Sequence, residues 1–120
     1  MVKWLGILGT ALVVAGCNRA GGATATASGD AGRGRHYIEG FGCGSCHVVP
    51  GVRRADGVIG PPLTAFGRRA FVAGEVPNTP ENLEHWLENP QSIEPGTAMP
   101  NLGISGPVAR DMAAYLLNLR

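Results

Sequence analysis

Cys43-Gly44-Ser45-Cys46-His47 is the stretch that decides how this chain folds. Two thiols two residues apart, with histidine directly after the second, have the spacing of covalent c-type haem attachment. Each cysteine adds across one vinyl group to form a thioether, and the adjacent imidazole then lies under the macrocycle as a ligand to iron. Three different chemical groups at fixed spacing make the pattern far more specific than two thiols alone. A thioredoxin-like dithiol needs a βαβ context, which the flanking sequence does not supply. A structural zinc site needs a second pair of ligands at metal spacing, whereas His36 and His85 each stand alone.

At 120 residues the chain holds one domain at most, and its first sixteen residues read as something else. Lys3 precedes an apolar run from Trp4 to Ala15, too short for a spanning helix of about 20 residues but suited to a signal-peptide core. Val14-Ala15-Gly16-Cys17 resembles the lipobox of bacterial lipoproteins. In such proteins the signal is cut before the cysteine, whose thiol receives a diacylglycerol. The other reading is an ordinary signal peptide with a stray cysteine. With Cys17 as the lipidation site and Cys43 and Cys46 committed to haem, the three cysteines of the chain leave none for a disulfide. Both readings export the chain to the outer side of a bacterial membrane, where c-type haem is attached. Two or more acyl chains give stable anchoring where one is marginal.

Residues 17–29 are the expected lipidated cysteine and tether, since Gly, Ala, Ser and Thr dominate and bury too little apolar surface to order themselves. About a dozen such residues have an r.m.s. span of about 20 Å. Residues 30–120 are the expected domain. Its core is poor, with aromatic residues at 6% of the chain and Gly and Pro abundant, so a covalently held porphyrin would serve as a large apolar core element.

Helical signals occur in four places. Ala31 to Gly40 precedes the haem motif. Leu63, Phe66, Ala70 and Phe71 recur at helical spacing over 63–73. Thr79-Pro80-Glu81 combines an N-cap, a first-turn proline and an acid favoured by the helix dipole, ahead of the apolar stripe Leu83, Trp86 and Leu87. Asn89-Pro90 ends that helix. After Ser105-Gly106-Pro107, the residues Val108, Met112, Tyr115, Leu116 and Leu119 define the apolar face of a last helix. Nothing alternates with period two over a useful length, so no sheet is expected.

His47 supplies one axial ligand, and the second must come from Met99, Met112, His36 or His85. Core packing explains Met112. His36 lies on a short helix only seven residues before Cys43, and His85 sits beside a stripe that is already defined. Met99 lies in Pro95-Gly96-Thr97-Ala98-Met99-Pro100, a loop stiffened by prolines on both sides and lacking any amphipathic pattern. It is the expected partner, since Met/His ligation raises haem potentials. A ligating histidine donates its other N–H to an acceptor, and the carbonyl of Pro61 in Gly60-Pro61-Pro62-Leu63 is a natural one. The plainer reading of that segment is a turn before a helix.

These motifs, in this order over residues 30–120, resemble the class I cytochromes c. The closest resemblance is to the cytochrome c domain of subunit II of caa3-type oxidases, carried by Asn78-Thr79-Pro80-Glu81-Asn82-Leu83, Trp86-Leu87, Asn89-Pro90-Gln91 and Pro95-Gly96 before Met99-Pro100. The resemblance implies an all-α cytochrome c fold, four or so short helices wrapped around one covalently bound haem c. It implies that Gly34, Tyr37 and Ile38 pack on Tyr115 and Leu116, and that Trp86 contacts a haem propionate or serves as core. The copper-binding part of the oxidase subunit is not among these 120 residues, so oxidase partnership is expected as a lineage and not as an established role.

Charge is unevenly spread. Between Asn18 and Gly74 seven arginines face three carboxylates, and from Glu75 onward two arginines face six. A basic half around the haem edge would steer the domain onto an acidic partner, although both halves also read simply as solvated faces. An exported, near-neutral domain is not a nucleic-acid binder. The expected function is a membrane-tethered carrier of single electrons between respiratory redox proteins, an oxidase or a dehydrogenase, with no small-molecule substrate and no enzymatic role. The alternatives are a haem enzyme or gas sensor with a labile distal ligand, and a fixed cytochrome subunit of an oxidase or dehydrogenase complex. The expected location is the cell envelope, lipid-anchored on the outer side of the membrane.

Overall fold

The computed structural model describes residues 27–120. The expected signal peptide, the lipidation site Cys17 and most of the tether lie outside the described residues. Among the described residues the fold is mostly helical: four α-helices, two 3-10 turns and one two-stranded ribbon of minimal length. No helix among the described residues is long and apolar enough to cross a membrane.

The first helix, α1 (Ala31–Gly40), starts where Asp30 accepts a hydrogen bond from the Arg33 N–H at 2.8 Å, satisfying a first-turn donor that has no partner within the helix. The Cys-x-x-Cys-His segment follows and opens with a 3-10 turn, Cys43–Ser45, with His47 N–H bonded back to Cys43 O. Next come a second 3-10 turn (Phe66–Arg68) and the ribbon of β1 (Phe71–Val72) and β2 (Val76–Pro77), paired antiparallel with Val72 opposite Val76. Helix α2 (Pro80–Glu88) begins at Thr79, whose hydroxyl accepts the Asn82 N–H at 3.2 Å. It buries Leu83 and Leu87 and leaves Trp86 half-buried. A single turn, α3 (Pro90–Ile93), follows directly, and α4 (Gly106–Asn118) closes the chain.

Helix α4 is the spine of the domain. Ala109, Met112, Ala113, Ala114 and Leu116 are all buried, because α1 packs on one side of it and α2 on another. The α1 contact is made at backbone distance. A Cβ added to Gly34 would fall 1.9 Å from the Asp111 carbonyl oxygen, so only glycine permits this approach. Ile38, Leu116 and, less deeply, Tyr37 and Tyr115 join the same core. Gly34 itself meets Asp111 and Met112, one turn before the Tyr115 and Leu116 that the resemblance implied.

Two expectations are corrected. No α-helix spans 63–73. Ala65 adopts a positive φ of 51°, which breaks helical winding, and only the 3-10 turn at Phe66–Arg68 forms. Gly67 then donates its N–H to Leu119 O, tying that turn to the end of α4. The helical spacing there was coincidental: Phe66 is buried, whereas Phe71 remains exposed. The second correction is the ribbon. Ala73 and Gly74 both have positive φ, and Glu75 N–H bonds Val72 O, which is the tight turn that suits a hairpin. Strands of two residues are too short for alternation to register.

Candidate functional site

One cavity of about 620 Å³ lies among α1, α2, α4 and the two loops that follow the Cys-x-x-Cys-His turn and α3. Ile38, Leu63, Phe66, Val72, Leu83 and Leu87 make most of its wall apolar. Cys43, Cys46, His47, Pro61, Trp86 and Met99 all line it, so every residue proposed from sequence for the haem site, from four separate segments, reaches one space.

The Cys43–Ser45 turn holds both thiols on one side because its backbone is packed tightly from behind. A Cβ on Gly44 would lie 2.6 Å from Ala55 Cα, and one on Gly57 would lie 2.5 Å from Cys46 N. Both cysteines are free thiols, half-buried, and burial pushes the Cys43 thiol above its ordinary value.

His47 is fixed on two sides. Its Nδ1 lies 2.7 Å from the Pro61 carbonyl oxygen. A carbonyl only accepts, so Nδ1 carries a proton and Nε2 is the ring nitrogen left for a metal. Gly60 packs against the same ring, where a Cβ would fall 2.3 Å from Cε1. Gly60 and Pro61 together seat the imidazole.

Met99 faces the cavity from the loop after α3, and both polar groups of its backbone are held by side chains. Its N–H donates to Thr97 Oγ1 at 3.3 Å, and its carbonyl accepts from Gln91 Nε2 at 2.7 Å. Gly96, with φ of 86°, turns the chain between them. The other ligand candidates separate clearly. His36 bonds Gly32 O on the exposed side of α1, and His85 bonds Ser92 Oγ on the surface. Met112 is fully buried, yet it also forms part of the cavity wall.

Sequence reasoning passed over several contributors. Arg69 lines the cavity, stacks its guanidinium 5.1 Å above the Phe66 ring and donates to Pro62 O. Phe41, Ile59, Phe71 and Leu102 line the cavity and are nonetheless exposed, and Val58 stands beside them. Ile59, 78% exposed, lies on the cavity wall next in sequence to Val58 at 88%, an apolar pair that no periodic pattern announced. Gln91 carried no signal beyond its place in a familiar-looking tripeptide.

No family model matches the chain. Its similarities are to cytochrome c oxidase subunit 2. Over 91 residues it is 38% identical to that protein of Alkalihalophilus pseudofirmus, covering 75% of this chain and 26% of the relative. Over 59 residues it is 44% identical to that of Bacillus subtilis, covering 48% and 17%. Over 84 residues it is 33% identical to that of Bacillus sp. (strain PS3), covering 65% and 23%. The chain thus spans about a quarter or less of the length of the curated relatives it matches.

Proposed function

We propose that residues 30–120 are a monohaem cytochrome c domain that passes single electrons between respiratory redox proteins, with a terminal oxidase as recipient. The observation that carries this reading is the convergence of two free thiols, an imidazole oriented by the Pro61 carbonyl and a thioether on one apolar cavity. The residues present suit a covalently attached porphyrin: a turn offering two thiols, apolar walls, and one nitrogen and one sulfur donor. Haem c, held by thioethers to Cys43 and Cys46 with His47 and Met99 as axial ligands, would supply reversible one-electron iron chemistry.

The chain's own part is to position and to exclude water. Pro61 orients His47 and raises its basicity as a ligand. The apolar wall keeps the local dielectric low, and Trp86 and Arg69 offer an indole N–H and a guanidinium at the cavity for the propionates. The exposed Val58, Ile59 and Phe71 give a partner an apolar landing area, and the arginine excess before Gly74 favours one with acidic surroundings.

Similarity to oxidase subunit 2 supports the oxidase as partner, with the domain acting either as a tethered shuttle or as a fixed subunit. The anchor we propose is lipid on Cys17, which places the domain on the outer side of the envelope membrane. Intact mass and visible spectra of the exported protein, made beside cytochrome maturation machinery, test the proposal. One haem adduct with both thiols resistant to alkylation is expected; an unmodified mass with alkylatable Cys43 and Cys46 overturns it. Co-purification of an oxidase in mild detergent separates a fixed subunit from a shuttle.

A further inference from the structure

We infer that Gln91 is a positioning residue for Met99, acting through the methionine's backbone carbonyl to hold the thioether against the cavity; this rests on the reading of Met99 as an axial ligand. Gln91 sits on α3, the single turn that begins at Pro90, and Pro90 is among the most deeply buried residues of the domain. That turn is thereby anchored to the core through Pro90. From this platform Gln91 Nε2 donates to Met99 O at 2.7 Å across eight residues, in part-buried surroundings. The acceptor is a carbonyl, so the amide must present its NH₂ group and not its oxygen.

The geometry makes this bond hard to replace. Residues 97–105 contain no regular element, so the Met99 carbonyl has no helical or strand partner. Pro100 follows and offers no N–H of its own. Among the described residues, the only other hydrogen bond to the Met99 backbone is the one its N–H gives to Thr97 Oγ1, at 3.3 Å. With Gln91 removed, the loop pivots about Thr97 and the sulfur retreats more readily from the cavity. A part-buried neutral hydrogen bond of this kind changes an equilibrium by about fivefold to tenfold.

The test compares the intact oxidised protein with Gln91→Glu, Gln91→Met and Ser92→Ala. Both Gln91 variants keep the length of the side chain and remove the donor; Ser92→Ala removes a neighbouring exposed hydrogen bond and leaves Gln91 and the buried Pro90 in place. The readouts are the long-wavelength sulfur-to-iron absorption and the rate at which cyanide displaces the sulfur. Wild type and Ser92→Ala should exchange alike, and both Gln91 variants about fivefold to tenfold faster, at similar thermal stability. If the Gln91 variants exchange at the wild-type rate, the inference is overturned. If wild type itself lacks the sulfur absorption, it is the Met99 reading that fails. Should the variants not fold, the Gln91 side-chain amide protons of wild type decide the matter by NMR. Protection from exchange is expected, and exchange at the rate of a free amide overturns the inference.

Discussion

Arg33 grips the Asp111 carboxylate at two points across 78 residues of sequence, through Nε at 2.8 Å and a terminal guanidinium nitrogen at 3.2 Å. Asp111 also accepts the backbone N–H of Asp30 at 2.7 Å, so one carboxylate fastens both the start of α1 and its first turn to α4. The Arg33 hydrogen bonds and the Asp30 N–H hold Asp111 below the usual carboxylate range.

A carboxylate whose folded value is depressed stabilises the fold above its unfolded value and loses that contribution as pH falls through the folded value. Wild type should therefore lose stability as pH drops below about 4, the ordinary aspartate range. Asp111→Asn should melt lower than wild type at neutral pH, and the gap should narrow as acid protonates the native carboxylate. Melting temperatures across pH 2–7 check this; a gap that stays constant with pH contradicts it.

Gly34→Ala places a methyl group into the Asp111 carbonyl and forces α1 away from α4. Overpacking of this sort costs about 2–3 kcal/mol, and Gly40→Ala, where an added Cβ meets nothing within 4 Å, is the control on the same helix. Denaturant unfolding should show a lower midpoint for Gly34→Ala alone.

Gly60→Ala acts on the site instead of the scaffold. The new Cβ collides with the His47 ring and displaces it from the Pro61 carbonyl. The expected result is a weaker imidazole ligand with a shifted potential and altered ligand-exchange rates, while the yield of thioether-bound protein stays near wild type. Redox titration together with intact mass makes the comparison.

Two methionines reach the cavity, and substitution distinguishes their roles. Met99→Ala should abolish the sulfur-to-iron absorption, lower the potential and admit cyanide or CO at once. Met112→Ala, which empties a fully buried position, should cost about 2–5 kcal/mol of stability and retain the sulfur absorption. The opposite assignment would follow if the absorption survived in the first variant and vanished in the second.

The all-α class and three of the helices were legible, two of them because their starts carry chemistry that local sequence encodes: Thr79-Pro80 and the Ser105-Gly106-Pro107 entry. The segment 63–73 was not, since Leu63 and Phe66 face the cavity from a turn and mimic one face of a helix. The two-residue ribbon depends on positive φ at Ala73, which an alanine does not advertise. At the site, residues that touch the proposed cofactor are of distinctive types at distinctive spacings. Those that place them, such as Gly60 behind His47 and Gln91 beneath Met99, work through close approach or a backbone carbonyl. Nothing in a one-dimensional string distinguishes such a glutamine from a solvated one.

Sealing Gly34 against Asp111 turns everything between them into one closed circuit of chain. The entropy of such a closure grows only with the logarithm of its length, by about 0.6 kcal/mol for each doubling. Surface excursions within the circuit, such as the exposed Arg53–Arg54 tip between half-buried Val52 and buried Ala55, are thus free to lengthen or shorten while the seam stays shut. Divergence in size among domains built this way should be concentrated there and spare the crossing itself.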